Sequence, residues 1–160
     1  MRRAADPLRN EARRRGLIDM RAGLTAACLV LVGSQAARSC DLAVSSAWIR
    51  TPAAGATALA AYAQLRNTGS HPLRITAIES PIAPMCMLHE TVTRNGVSTM
   101  RMLDGLTLAP GAVASLTPGH KHLMLMDPAS LPKPGDQVPV SLTDARGCRM
   151  TTAFQVRAGG

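Results

Sequence analysis

Beyond residue 37 the apolar positions follow no helical period. They fall into short runs separated about every 8–12 residues by turn chemistry, the rhythm of an antiparallel sandwich or barrel. The pattern predicts strands over residues 42–50, 57–66, 73–80, 85–93, 97–103, 113–116, 122–126, 138–143 and 148–156. Between them stand Asn67-Thr68-Gly69, Asn95-Gly96, Asp104-Gly105, Pro110-Gly111 and Pro118-Gly119, with further breaks over 52–55, 128–135 and 144–147. The alanine-rich stretch 53–63 has helical propensity. Its flanking Pro and Gly, and the strand rhythm around it, make it a strand instead.

Asn95-Gly96 is the strongest local signal, because a two-residue type I′ hairpin turn needs positive φ at both central positions. With that turn Arg94 pairs with Val97, Thr91 with Met100 and His89 with Met102. Side chains alternate across a strand, so parity sorts the neighbours. Met85, Met87 and His89 share one face, as do Met100 and Met102, and as do His120, His122, Met124 and Met126. Leu88, Leu103, Leu123 and Leu125 take the opposite face, which a sandwich core would bury. Whether the strand with His122 lies beside the hairpin is beyond the reach of this counting.

Composition narrows the class. The aromatics Trp48, Tyr62 and Phe154 are too few to build a core, which falls to Leu, Val, Ile, Ala and Met. The net charge of +8 is half explained by residues 1–22, where seven arginines face three acids. The remaining charges are scattered singly without aromatic interleaving, so no nucleic-acid stripe is predicted. After the basic start comes a short apolar run, residues 24–33, and then Ser34-Gln35-Ala36. That order reads as an export signal with cleavage near Ala36. Residues 1–36 are therefore expected to be a leader, with Met20 a possible true start, and residues 37–160 a single β-sandwich domain. Arg14-Arg15 gives a weak twin-arginine match, and Cys28 after Thr25-Ala26-Ala27 a loose lipobox with too little apolar sequence before it. In an oxidising compartment Cys40 and Cys148, near the two ends of the domain, make a plausible disulfide; connectivity stays open and Cys86 is then left over.

The candidate chemistry lies between residues 85 and 126, which hold six of the nine methionines and three of the four histidines. Ten residues separate His89 from Met100, twenty-one separate Met100 from His122, and one separates His122 from Met124. Two imidazoles and two thioethers form a soft, neutral donor set suited to Cu(I) rather than to Zn(II), Mg(II) or Ca(II). Thioethers do not pair into disulfides, so such a set stays usable outside the cytoplasm. Met87, Met102, His120 and Met126 lack this spacing and are expected to pack, to widen the rim or to form a weaker second site. A blue-copper centre would need a thiolate beside the imidazoles, and Cys86 has the wrong parity. No nucleophile elbow, phosphate loop or paired zinc cysteines occur, so an enzyme is not expected. A metal-free structural or adhesion sandwich is the competing reading.

The spacing His89-x10-Met100-x21-His122-x-Met124 resembles the signature of the periplasmic PCuAC copper chaperones. So do Ala47-Trp48-Ile49-Arg50, Leu88-His89-Glu90, Leu108-Ala109-Pro110-Gly111 and Pro118-Gly119 before His122-Leu123-Met124-Leu125-Met126. The resemblance spans roughly residues 40–157. It implies a cupredoxin-like Greek-key β-sandwich with His89, Met100, His122 and Met124 as Cu(I) ligands. It also implies a carrier that supplies copper for the CuA centre of cytochrome c oxidase, with oxidase subunit II or a thioredoxin-like copper protein as acceptor; the carrier itself is expected to be a monomer. Storage or resistance without directed delivery is the alternative. Two positions depart from the usual pattern: Thr91 where many relatives carry Met, and His120 where a small residue is usual.

Overall fold

A computed structural model describes residues 40–158; the expected leader, with Met20 and Cys28, lies outside them. Among the described residues there are ten strands and no helix. They are β1 (Leu42–Arg50), β2 (Ala58–Asn67), β3 (Leu73–Glu79), β4 (Met85–Arg94), β5 (Val97–Leu103), β6 (Leu106–Leu108), β7 (Val113–Leu116), β8 (Lys121–Met126), β9 (Gln137–Asp144) and β10 (Arg149–Arg157). Nine of these are the predicted runs, with no end shifted by more than one residue. The addition is β6, a Leu-Thr-Leu bridge on β3 that is too short to show an alternation of its own.

The hydrogen-bonded order is β5-β4-β8-β2-β1-β10-β9-β3-β6, with β7 also pairing with β2. The pair β1–β10 is parallel, and the other pairs are antiparallel. The sheet wraps until β3 packs near β4, which brings its two halves face to face. Ile49, Leu59, Leu65, Leu116, Leu123, Leu125, Val140, Leu142, Phe154 and Val156 fill the space between them. The aliphatic core predicted from the scarcity of aromatics is the one observed, with Phe154 as its one large ring. The alanine-rich segment is strand only from Ala58 on, where Ala61 and Ala63 are buried in the core and Ala58 and Ala60 point to the other side; residues 53–57 form a turn instead, with Gly55 at a φ of 75°.

Two local devices shape the sheet. In β1 the pairing with β2 slips by one residue between Ser45 and Trp48, and Ser46 takes a positive φ of 51°. This bulge changes the parity of the strand. It sends Ile49 into the core and turns Trp48 to the outer face, opposite Tyr62. Fully buried Asn67 closes the turn after β2: its Nδ2 donates to the carbonyls of His71 and Leu108, and its Oδ1 accepts from Gly69 N. Every polar atom of that side chain is thereby satisfied. Cys40 and Cys148 form a disulfide with Cα atoms 5.6 Å apart, which ties the start of β1 to the start of β10.

Candidate metal centre

The turn between β4 and β5 has φ of 51° at Asn95 and 76° at Gly96, as a type I′ turn requires. The register that follows pairs Arg94 with Val97, Thr91 with Met100 and His89 with Met102. The strand carrying His122 does lie beside this hairpin. β8 runs antiparallel along the free side of β4 and places His122 opposite His89, Met124 opposite Met87 and Met126 opposite Met85. Directly paired residues share a face. Met85, Met87, His89, Met100, Met102, His122, Met124 and Met126 therefore all stand on the outer face of three adjacent strands, while Leu88, Leu123 and Leu125 plug the core behind them. His120, just before β8, is exposed.

The two imidazoles form the base of the group. Their ring centroids are 6.0 Å apart and the rings are nearly perpendicular, at 81°. His122 is 5 % exposed, and its Nδ1 lies 2.9 Å from the carbonyl oxygen of His120. A carbonyl can only accept, so Nδ1 carries the proton and Nε2 keeps the lone pair. Metal-binding histidines are commonly oriented by such a bond. His89 has a buried Nδ1 with no hydrogen-bond partner. Burial lowers its pKa, and the neighbouring His122 lowers it further, so the ring is held neutral. A neutral imidazole with an unsatisfied buried nitrogen is in the form a metal ion requires. In the register methionines flank the pair: Met102 stands opposite His89, with Met100 and Met124 one step away on the same face. Met124 is half-buried, while Met100 and Met102 project at 63 % and 60 % exposure.

Among the described residues there is no group of three or more His, Cys, Asp or Glu that could hold a metal; the side-chain donors beside the imidazoles on this face are methionine sulfurs. Glu90, beside His89 in sequence, faces the other way. Its carboxylate accepts from Arg101 on β5 at 2.6 Å and from Lys121 on β8 at 2.7 Å. Those bonds, Lys121 first and then Arg101, hold its pKa below the usual carboxylate range. One acid thus cross-links all three donor-bearing strands without entering the site. Cys86 also faces away. It lines a cleft of about 310 Å³ where the two ends of the sheet meet, between β3 and the β4–β5 hairpin, and burial raises its thiol pKa.

The sequence reading missed an aromatic extension of the imidazole row. Trp48 and Tyr62, both buried on the outer face, lie with centroids 4.5 Å apart, and Tyr62 is 6.3 Å from His122. Arg157 caps Trp48 at 4.7 Å from the ring centroid. Parity alone would have put Trp48 on the core side with Val44. The bulge at Ser46 reverses it, and bulges leave little trace in a hydropathy pattern.

The fold is the cupredoxin-like β-sandwich of PCuAC domains. The chain is similar to the copper-bound PCuAC domain from PmoF2, with a TM-score of 0.63 and 20 % identity over 74 % of this chain and 93 % of that domain. It is also similar to the Cu(I) form of DR1885 from Deinococcus radiodurans, with a TM-score of 0.58 and 25 % identity over 79 % of this chain and 83 % of that one. Residues 42–156 match the LpqE-like family, described as "Putative lipoprotein LpqE-like". A relative from Leifsonia xyli subsp. xyli (strain CTCB07), "Putative lipoprotein Lxx21020", is 34 % identical over 115 residues, 71 % of this chain and 68 % of that protein. The chain belongs to the LpqE-like family.

Proposed function

We propose that this protein is an exported, non-enzymatic carrier that binds one Cu(I) through His89, Met100, His122 and Met124 and passes it to an acceptor protein. The observation that carries the reading is the adjacent pair His89–His122, one ring with its Nδ1 tied to a carbonyl and the other with an unpartnered Nδ1, on the same face as six methionines. The likeness to PCuAC domains, one of them copper-bound, supports copper as the cargo. The lipoprotein naming of the family supports export, and so does the Cys40–Cys148 bridge.

In the strand register Met100 stands one pleat period beyond the imidazole row and Met124 one period before it. The two sulfurs bracket the imidazoles. β5 is an edge strand held in a two-stranded ribbon, where twist is greatest. Twisting of that ribbon swings the exposed Met100 over the pair, which closes the quartet around the ion and opens it again for transfer. We assign the acceptor role to a copper-requiring partner outside the cytoplasm, oxidase subunit II or a thioredoxin-like copper protein, and the carrier acts as a monomer.

Competition against a Cu(I) chelator tests the reading. One equivalent should bind tightly, and His122→Ala or Met100→Leu should weaken it sharply. A chain that cannot compete with the chelator at all would reject the carrier.

A further inference from the structure

The quartet leaves part of the donor face unused. Met85 pairs directly with Met126 across β4 and β8, and Met87 pairs with Met124 in the adjacent position on the same face. Opposed side chains in such pairs have Cβ atoms about 5 Å apart, and successive pairs on one face are separated by about 7 Å along the strand. A methionine has three rotatable bonds beyond Cα, enough for sulfurs from both pairs to converge on one point. On the far side of β8 the partners of Met126 and Met124 are Ala58 and Ala60, too short to crowd them.

Packing does not account for these residues. The core behind them is closed by Leu88, Leu123 and Leu125, and among the described residues the methionine packed against that core is Met150. Met85 is 55 % exposed, and Met87 and Met126 are partly buried like Met124, all on the outer face away from that core. Apolar side chains gathered on an outer surface call for a ligand or partner. Here the shared property is not bulk but a polarisable sulfur.

We propose that Met85, Met87 and Met126 form a second soft-metal site, next to the quartet and separate from it, which takes one monovalent ion of the Cu(I) or Ag(I) type through thioether sulfur alone. Neutral sulfur donors select such ions over Zn(II), Ca(II) or Mg(II). Lacking imidazole and lying open to solvent, the site binds more weakly than the quartet and exchanges faster. It gives the face a second station, on the side of the imidazoles away from Met100. The site does not depend on the quartet being the carrier site.

Ag(I), which mimics Cu(I) without redox chemistry, provides the test. The full chain, labelled with ¹³C at the methionine methyls, is titrated and followed by NMR and native mass spectrometry. Two ions per chain are expected, with the methyls of Met85, Met87 and Met126 moving at the second equivalent. The double variant Met85→Leu/Met126→Leu, which conserves side-chain volume, should retain one ion. The variant His89→Ala/His122→Ala should also retain one, now on the thioethers. Saturation of the unmodified chain at one ion overturns the second site and leaves the quartet standing. A second ion that survives Met85→Leu/Met126→Leu overturns it as well. A normal second ion with no binding at the quartet would instead remove the carrier reading and keep this one.

Discussion

His122 Nδ1 donates to the carbonyl of His120, two residues earlier in the chain, and this bond fixes which nitrogen of His122 is free. The group that orients the ligand is a backbone atom, so its side chain is dispensable. His120→Ala should leave Cu(I) affinity within a few-fold of the unmodified chain. His122→Ala should lower it by more than the roughly 10–100-fold that follows loss of an orienting partner. Parallel chelator competitions check both. A large loss in His120→Ala would make that exposed imidazole a ligand.

Trp48 is the single tryptophan of the chain, and it reaches His122 through Tyr62 by ring contacts of 4.5 and 6.3 Å. Metal bound at the imidazole pair should therefore quench or shift its emission. The expected result is a change that saturates at the first equivalent of Cu(I) and vanishes in His122→Ala. Unaltered emission on loading would place the ion elsewhere.

Acid should destabilise the fold through Asp144, which is 5 % exposed. Burial by itself would raise its carboxyl pKa. Hydrogen bonds from Cys148 N and from Arg146, together with the guanidinium charge, outweigh burial and hold it below the ordinary value. With the folded pKa below the unfolded one, the contribution is fully present above the ordinary carboxylate pKa and is lost as pH falls through the folded value. Denaturation midpoints should be flat near neutrality and drop on the acid side. Asp144→Ala should lose about 1–3 kcal/mol at neutral pH, because the part-buried donors of Arg146 and Cys148 lose a charged acceptor, and should show a shallower acid decline.

The disulfide closes a loop with a sequence separation of 108 residues. Reducing it, or replacing Cys40 and Cys148 by serine, should cost about 2–5 kcal/mol in urea denaturation. Cu(I) binding by the still-folded chain should persist, since the donor face contains no thiolate. Loss of binding under mild reductant without unfolding would implicate sulfur from cysteine.

Much of this arrangement was legible in the chain because its determinants are local. Asn95-Gly96 dictated a turn, the turn dictated the β4–β5 register, and parity then put His89 beside Met100 and Met102. The neighbour of β4 on its other side was not legible. The pairing of His89 with His122 is set by long-range packing of Leu88 on Leu123, which no spacing encodes. The aromatic pair escaped for a related reason, since the one-residue irregularity at Ser46 is invisible to a period of two. β6 escaped because three residues are too few to show any period.

The donors and the greasy core occupy opposite sides of the same three strands. A slip of β8 by a single residue would drive His122 and Met124 inward and expel Leu123 and Leu125 into water, so burial of leucine guards the geometry of the imidazoles. The β4–β8 part of the site is thus held in register by the core before any ion arrives, and Met100 on the edge strand is the donor left to swing. Emptying the site costs the molecule none of its architecture, unlike small zinc domains that collapse without their metal.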